Sequence, residues 1–380
     1  MSTLMPSQKI KGSHRKYKYQ KIIIAGGGTG GHIFPAIAIA NAIKAIDSSV
    51  KIIFVGATGK MEMDKVPAAG YQIKGLTISG FNRSSLVKNI WLPFKLVKSF
   101  LEVKNIFKKF EPTVVIGVGG YSTFPVLRFA QSKKIPTFIH ESNSYAGKSN
   151  VLLGKKATKV FVACEGMDKF FPSNKIQVTG NPVRKVIIDS PVTKEESLAF
   201  FGLKNEQKTV LIIGGSLGAR SINNAIYDSI EKLQESGLQI IWQTGKSNAD
   251  KYRRVVKGKN FIWIGEFINH MEMAYAAADI VISRAGAMTV TELCVVGKPS
   301  IFVPYPFAAE DHQTANAMVL VEKKAALLVA DSEVDEKLAD VVIALAKDDL
   351  LLNELKRNIS LLAVKNADEV IAREILASVL

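Results

Sequence analysis

Apolar residues alternate between two textures along most of this chain. Short runs rich in Ile, Val and Phe, at 21–25, 51–55, 113–117, 137–140 and 159–163, read as strands buried on both faces. Between them, apolar residues recur at three- and four-residue spacing, as at 33–45, the pattern of helices that cover a sheet. The texture restarts at 209–213 and continues through strands at 239–243, 261–264, 279–283 and 300–303, with a helix expected over 219–233. Strands alternating with helices predict a parallel sheet covered on both faces, and the restart predicts two.

Each half opens in the same way, with a strand, a glycine loop and a helix. The first loop is Gly26-Gly27-Gly28-Thr29-Gly30-Gly31 and the second is Gly214-Gly215-Ser216-Leu217-Gly218. Such a loop places backbone N–H groups at the positive end of a helix dipole, where phosphate is the usual guest. Gly26, Gly28 and Gly31 satisfy G-x-G-x-x-G, but the second strand ends Phe54-Val55-Gly56-Ala57-Thr58 without the acid that a nicotinamide dinucleotide site wants for its ribose. The fold expected is α/β, two Rossmann-like domains. The join is expected at Gly180-Asn181-Pro182-Val183-Arg184, giving an N-terminal domain over 21–183 and a C-terminal domain over 184–365. Residues 1–20 read as a flexible basic arm, and 366–380 as a helix packing back on the first domain.

Length changes this picture little, since 380 residues suit two domains. Charge changes it more. Residues 1–110 hold 18 Lys/Arg against 4 Asp/Glu, so this stretch carries +14 of the formal +16 and asks for an anionic partner. Nothing resembles a secretory signal, and no apolar run approaches the ~20 residues that span a bilayer. Cys164 and Cys294 form no CxxC pair, which argues against a zinc site or disulfide framework and fits a reducing compartment. No Asp-x-Asp stands at a strand end, and Asp331-Ser332-Glu333 reads as a helix cap, so no cofactor and no protein-bound metal is expected.

Several residues carry candidate chemistry. His32 opens the helix after the first loop; it suits a general base for a sugar hydroxyl, or equally a phosphate contact or cap. In the second half, Ser216 is placed to donate to a phosphate, with Arg220 one turn on. Ala287, Met288 and Thr289 offer free N–H groups at a further helix start. Glu292 then follows, able to take both hydroxyls of a ribose or to act as a first-turn acid that steadies its helix.

The ordered set Gly27-Gly28-Thr29-Gly30-Gly31-His32, Gly119-Gly120-Tyr121, His140-Glu141-x-Asn143, Gly180-Asn181-Pro182-Val183-Arg184, Gly214-Gly215-Ser216-x-Gly218-Ala219-Arg220 and Arg284-x-Gly286-Ala287-x-Thr289-x-x-Glu292 resembles the MurG family over nearly the whole chain. Ser142 stands where many members carry Gln. The resemblance implies a GT-B fold, with the two parallel sheets facing across a cleft. It implies an inverting transferase that moves N-acetylglucosamine from UDP-N-acetylglucosamine to the 4-hydroxyl of N-acetylmuramyl-pentapeptide on undecaprenyl pyrophosphate. That step belongs to peptidoglycan synthesis, and so to cell shape and division. It also implies roles. Ser216 would touch the donor phosphates, the Ile268 backbone the uracil edge, and Glu292 the ribose. Ala287, Met288 and Thr289 would add main-chain contacts, and Gln313 would contact the transferred sugar. Asn143 and Arg184 would line the cleft, and Thr29, Gly30 and Gly31 would reach the donor from the first domain. Gly28, Thr29, His32 and Tyr121 would face the acceptor, with His32 the candidate base.

A lipid-linked acceptor gives the basic half a meaning. Pro93 suits a helix start, and Leu96, Phe100, Val103, Phe107 and Phe110 form one apolar stripe of the kind that is usually core. Before it, Phe81, Ile90, Trp91 and Phe94 mingle with Lys88 and Lys95, a texture suited to lying among lipid headgroups. The expected partners are therefore the UDP-sugar, the lipid acceptor, the anionic inner leaflet at the cytoplasmic face of the plasma membrane, and the cell-wall synthesis machinery. Rivals are another lipid glycosyltransferase of this architecture, a UDP-sugar epimerase, or a nucleic-acid-binding module; no recognition helix or stacking motif supports the last, and nucleic acid is not an expected partner.

Overall fold

The computed structural model describes residues 20–79, 92–215, 218–247, 249–308 and 311–378. The first unit runs β1 (Lys21–Ala25), α1 (Gly30–Ile46), β2 (Lys51–Ala57), α2 (Glu62–Ala68), β3 (Gln72–Leu76), α3 (Leu92–Phe110), β4 (Val114–Gly117), α4 (Thr123–Ser132), β5 (Thr137–Glu141), α5 (Lys148–Gly154), β6 (Lys159–Val162) and β7 (Ile176–Val178). Its strands form one parallel sheet in the order β3-β2-β1-β4-β5-β6-β7. Ile22, Ile23, Ile24, Val114, Val115 and Ile116 are fully buried because helices cover both faces of the central strands.

After α6 (Lys185–Ile188) and α7 (Lys194–Phe201) the pattern repeats: β8 (Thr209–Ile213), α8 (Arg220–Asp228), α9 (Ile230–Glu235), β9 (Gln239–Gln243), α10 (Ala249–Val256), β10 (Ile262–Gly265), α11 (Met271–Ala277), β11 (Ile280–Ser283), α12 (Ala287–Val296), β12 (Ser300–Phe302), α13 (His312–Glu322) and β13 (Leu327–Leu328). The order β10-β9-β8-β11-β12-β13 is again all parallel. The helix expected over 219–233 is broken: α8 stops at Asp228 and α9 begins at Ile230, with Ser229 between them outside helical geometry at ψ 13°.

Three helices end the chain, α14 (Val334–Lys347), α15 (Asp349–Ser360) and α16 (Ala367–Ala377). The last returns to the first sheet, where Ile371, Ala372 and Ile375 share a core with Ile39 and Ile43 of α1. Each fully buried aliphatic side chain of this kind is worth roughly 1.5–3 kcal/mol. Lys159 and Glu374 pair beside it. The chain therefore crosses between the two units twice, and Gly180 marks the crossing. Its φ is +77°, and a Cβ there would lie 2.9 Å from Cβ of Val364 on the returning segment.

In α3 the line that packs inward is Ser99, Val103 and Phe107, all buried. Phe100 and Phe110 are half-buried flanks, and Leu96, expected in the core stripe, is 36% exposed. The sequence stripe is thus rotated by about one residue, since a hydroxyl that bonds its own helix, Ser99 Oγ to Leu96 O at 2.7 Å, can enter the core in place of an apolar side chain. Among the described residues no helix is long and apolar enough to cross a membrane.

Candidate active site

Both sheets turn the C-terminal ends of their strands toward one cleft, where parallel α/β sheets bind ligands at the switch of strand order. On the first unit that switch lies between β1 and β4, and the two following loops interlock. Gly27 N donates to Gly119 O at 3.1 Å. A Cβ on Gly120 (φ +93°) would stand 2.3 Å from the Gly27 carbonyl oxygen, so only glycine allows this contact.

A buried carboxylate that the motif does not reveal organises the first loop. Glu62 is 1% exposed; its Oε2 accepts from Gly28 N at 2.8 Å and its Oε1 from Ala57 N at 2.9 Å. It fits because a Cβ on Gly27 would come within 2.3 Å of it and one on Gly56 within 2.5 Å. The Gly28 amide is thus engaged by the protein itself. The N–H groups of Gly30 and Gly31, at the start of α1, have no partner among the described residues.

His32 sits half-buried above this loop. Its Nδ1 lies 3.1 Å from the Gly27 carbonyl, which can only accept, so Nδ1 carries the proton and Nε2 the lone pair. Nδ1 is also 3.4 Å from the Thr29 hydroxyl. The ring edge bearing Nε2 rests against Gly119, where any side chain would collide with it at 2.7 Å. Burial pushes the His32 pKa below its ordinary value, and the nearby Glu141 carboxylate, the bond to Gly27 and Glu62 only partly oppose this. His312 of α13 faces it closely enough that its charge would lower the value further. The imidazole is neutral at neutral pH, with a lone pair to offer.

Glu141 does for the loop after β5 what Glu62 does for the first. One oxygen accepts from the N and Nδ2 of Asn143 at 3.1 and 3.2 Å, the other from Gly147 N at 3.1 Å and Asn150 Nδ2 at 2.8 Å. Asn143 is thus fixed at the cleft edge by its own backbone neighbour. His140 beside it is fully buried, which drives its pKa down to about 4. Tyr121 follows Gly120 and is 48% exposed.

The opposite wall is built at β11, α12 and α13. Gly286 caps α12, so the N–H groups of Ala287, Met288 and Thr289 are the first amides of that helix, with no partner among the described residues. Glu292 lies beyond the first turn, which holds no acid, so the reading of it as a first-turn dipole partner does not hold. Its carboxylate is 7% exposed and held from two sides: Oε1 accepts from Arg184 Nη2 at 3.0 Å and Oε2 from Tyr275 OH at 2.9 Å. Burial and the Glu292 charge push the Tyr275 phenol well above its ordinary pKa, so it stays a donor. Gln313, near the start of α13, accepts from Tyr305 N at 2.9 Å through Oε1, which leaves its Nε2 donors for the cleft. Ile268 is buried, and its N–H donates to Gln243 Oε1 at 3.0 Å.

The segment Asp331-Ser332-Glu333 leads into α14 with Glu333 at its N-cap, while Asp331 does other work. Its carboxylate takes Arg284 and Ser221, and Arg284 also donates to the carbonyls of Val303 and Pro304 at 3.1 and 3.0 Å. That network secures the loop carrying Tyr305. Ser216 lies outside the described residues, as do Phe81, Lys88, Ile90 and Trp91. Among the described residues no group of three or more His, Cys, Asp or Glu is arranged to hold a metal.

The two walls touch. Arg184 stacks on Phe34 of α1 at 4.5 Å while it holds Glu292. Ser144 donates to Asn316 Oδ1 from its hydroxyl at 2.7 Å and its amide at 3.3 Å. Asn181 Nδ2 joins Ser142 O to Thr291 Oγ1, each at 3.0 Å. Lys65 lies 5.4 Å from the Phe267 ring centre. A Cβ on Gly31 would be 4.0 Å from Met288 Cγ, so the α1 and α12 N-termini face each other directly. Glu62, Tyr275 and Gln243 were not foreseen in the sequence, and Glu141 was read there only as part of its motif. The signal available was the pair Gly27 and Gly56, whose missing side chains make room for Glu62.

The chain matches the glycosyltransferase family 28 N-terminal domain over residues 22–162 and the family 28 C-terminal domain over residues 209–371. It is 50% identical over 364 residues, 95% of this chain and 98% of the relative, to the UDP-N-acetylglucosamine–N-acetylmuramyl-(pentapeptide) pyrophosphoryl-undecaprenol N-acetylglucosamine transferase of Parabacteroides distasonis. Against the protein of the same name from Phocaeicola vulgatus it is 50% identical over 93% of this chain and 95% of the relative. The crystal structure of Acinetobacter baumannii MurG superposes with a TM-score of 0.72 at 28% identity, covering 94% of this chain and 99% of that one. With both halves matched in order on two facing parallel sheets, the chain belongs to glycosyltransferase family 28 and, within it, to the MurG transferases.

Proposed function

We propose that the protein transfers N-acetylglucosamine from UDP-N-acetylglucosamine to the 4-hydroxyl of N-acetylmuramyl-pentapeptide borne on undecaprenyl pyrophosphate, with inversion at the sugar. The observation that carries the mechanism is the opposition across one cleft of a neutral His32, whose Nδ1 proton is held by the Gly27 carbonyl so that Nε2 keeps the lone pair, and an α12 N-terminus backed by Glu292 and Arg184.

The donor binds against the second wall. Glu292 accepts the ribose hydroxyls with the lone pairs that Arg184 and Tyr275 leave free, and the Ile268 backbone reads the uracil edge. The amides of Ala287, Met288 and Thr289, with Ser216, meet the pyrophosphate at the positive end of α12. Gln313 donates to the transferred sugar, and Arg184 and Asn143 close the cleft over it. Thr29, Gly30 and Gly31 meet the donor from the facing wall. On that wall His32 Nε2 takes the proton of the acceptor hydroxyl, with Tyr121 alongside. The acceptor oxygen bonds to C1 as the bond from C1 to the donor phosphate oxygen breaks, and UDP leaves with that electron pair. Helix N-termini stabilise the charge that develops on it.

Residues 21–183 with the returning helix 366–380 form the acceptor domain in this reading, and 184–365 the donor domain. The acceptor domain meets an anionic membrane surface as a peripheral contact through α3, whose outward face shows Phe94 at 67%, Val97 at 62% and Leu101 at 59% exposure among lysines. Lys95, half-buried and bonded to Ser79 Oγ at 3.1 Å, flanks that face.

The deciding experiment is transfer of labelled N-acetylglucosamine from its UDP donor to a short-chain pyrophosphoryl acceptor, wild type beside Glu292→Ala. Product from the wild type and near loss in the variant is the expected result. Donor binding without transfer would sink the acceptor assignment; equal transfer by both would sink the role of Glu292.

A further inference from the structure

One carboxylate of the first unit is buried with no cation beside it. Glu62 opens α2, and its only hydrogen-bond partners among the described residues are two backbone amides, Gly28 N on Oε2 at 2.8 Å and Ala57 N on Oε1 at 2.9 Å. A buried charge is costly unless its surroundings use it. The Gly28 N–H belongs to the same peptide unit as the Gly27 carbonyl, and that carbonyl accepts from His32 Nδ1 at 3.1 Å. Carboxylate, peptide and imidazole therefore stand in one chain of hydrogen bonds. The peptide between them is fixed on its other sides. Gly27 N donates to Gly119 O at 3.1 Å, and a Cβ on Gly120 would stand 2.3 Å from Gly27 O. Gly27 at φ +145° and Gly28 at φ +90° hold backbone that other residues rarely adopt.

We infer that Glu62 is a positioning residue for His32, acting through the Gly27–Gly28 peptide as the carboxylate that fixes the imidazole tautomer and makes Nε2 the better base. The inference rests on the proposed reading of His32 as the base. A carboxylate that accepts from a peptide N–H pushes electron density toward the carbonyl oxygen of that peptide, and bonds in such a chain strengthen one another. The Gly27 oxygen then holds the Nδ1 proton more firmly. As the acceptor hydroxyl gives its proton to Nε2, the ring gains a positive charge, which the Gly27 oxygen and the Glu62 charge behind it stabilise. No proton passes to Glu62: the peptide keeps its N–H, and the imidazolium keeps both of its own. Other titratable groups face the ring as well. Glu141 at the end of β5 favours its charged form with Glu62, and His312 of α13 opposes it. His140 of β5 is near enough for the two imidazoles to repel when charged. Glu141 is bonded to Asn143, Gly147 and Asn150, so among the described residues only Glu62 reaches the ring through a chain of hydrogen bonds.

Transfer from UDP-N-acetylglucosamine to a short-chain pyrophosphoryl acceptor, followed from acid to neutral pH with the full-length protein, tests this. Wild type is set beside Glu62→Gln, Glu62→Asp and His32→Gln, each verified as folded by circular dichroism and by UDP binding. Glu62→Gln is expected to lower kcat about tenfold, because a neutral amide no longer favours the imidazolium. With that negative charge gone the His32 pKa falls further, so the acid limb of kcat/KM should move to lower pH. KM for the donor should stay within about twofold, since the donor wall is untouched. Glu62→Asp keeps the charge at shorter reach and should hold the limb near its wild-type position. A slower Glu62→Gln with an unmoved limb would show loop support alone and overturn the inference, as would a limb that moves equally in Glu62→Asp. Nitrogen NMR of the wild-type histidines is independent of any variant's folding. The chain of bonds requires His32 protonated at Nδ1 with Nε2 bare, and a neutral ring protonated at Nε2 would overturn it. An acid limb that survives His32→Gln would instead overturn the reading of His32 as the base, and the inference with it. Transfer by the wild type would leave the reaction assignment standing.

Discussion

His32 has its tautomer chosen by the backbone. The Gly27 carbonyl claims the proton on Nδ1, so the only basic atom is Nε2, and burial keeps the ring neutral. The sign of the pH effect follows. A depressed pKa means that protonation needs a lower pH than for a free histidine. The basic form therefore persists as pH falls past 6.5 and is lost only as pH drops through the lower folded value. A profile of kcat/KM against pH should have its acid limb centred below 6.5, and His32→Gln should be at least about 100-fold slower with that limb removed. A limb centred above 6.5, or one that survives the substitution, would assign it to another group. The glycine loop, His32 and Glu292 were legible because each stands beside its motif. Glu62, Tyr275 and Gln243 were not. Each is a single polar letter whose partner is remote in sequence: Glu62 meets Gly28 at a separation of 34 residues and Gln243 meets Ile268 at 25. Yet each amide that Glu62 satisfies would cost about 1–3 kcal/mol if left buried and unpaired.

Among the elements, strands flanked by other strands were readable, and of the four edge strands only β10 was. β1, β4 and β8 are apolar runs because both faces are covered. β3 at one edge reads Gln-Ile-Lys-Gly-Leu with Gln72, Lys74 and Gly75 exposed and Ile73 half-buried, and β13 at another is only two residues long. An edge strand pairs on one side and need not be apolar, so periodicity misses it. The helix α3 is the informative case. Spacing alone cannot separate a core stripe from a membrane face, since both are apolar at 3.6 residues. The structure gives α3 both: Val103 and Phe107 pack inward, while Phe94, Val97 and Leu101 face outward beside Lys98, Lys104 and Lys108. Replacing Val97 and Leu101 together by Glu should abolish sedimentation with anionic vesicles at low salt. Transfer to a short-chain, water-soluble acceptor should stay within about twofold, because neither side chain supports the sheet. Equal loss of both would mean that α3 serves the fold alone.

At the scale of the whole molecule, chemistry requires the two walls to meet, since the base stands on one and the donor on the other. Asn316 is the contact best placed to report on that meeting. It is 6% exposed on α13, and its Nδ2 fixes the Ala285 carbonyl at 3.1 Å beside the α12 N-terminus. Its Oδ1 receives both the hydroxyl and the amide of Ser144, which belongs to the loop that Glu141 orders on the other side. One side chain therefore spans from the donor wall to the acceptor wall without being one of the proposed donor contacts. Asn316→Ala should leave UDP affinity within about threefold, because the amides of α12 and Glu292 remain. It should lower kcat by roughly tenfold, the equivalent of about 1.4 kcal/mol of lost alignment in the transition state. Ser144→Ala should reproduce part of the kcat effect, because its amide still reaches Asn316 Oδ1, and the double variant should add little to Asn316→Ala, which already removes the shared hydroxyl bond. If the two effects were instead additive, or if Asn316→Ala weakened UDP binding as much as it slowed turnover, Asn316 would be a donor-wall residue and closure would depend on the remaining bridges, Arg184 on Phe34 and Asn181 on Thr291.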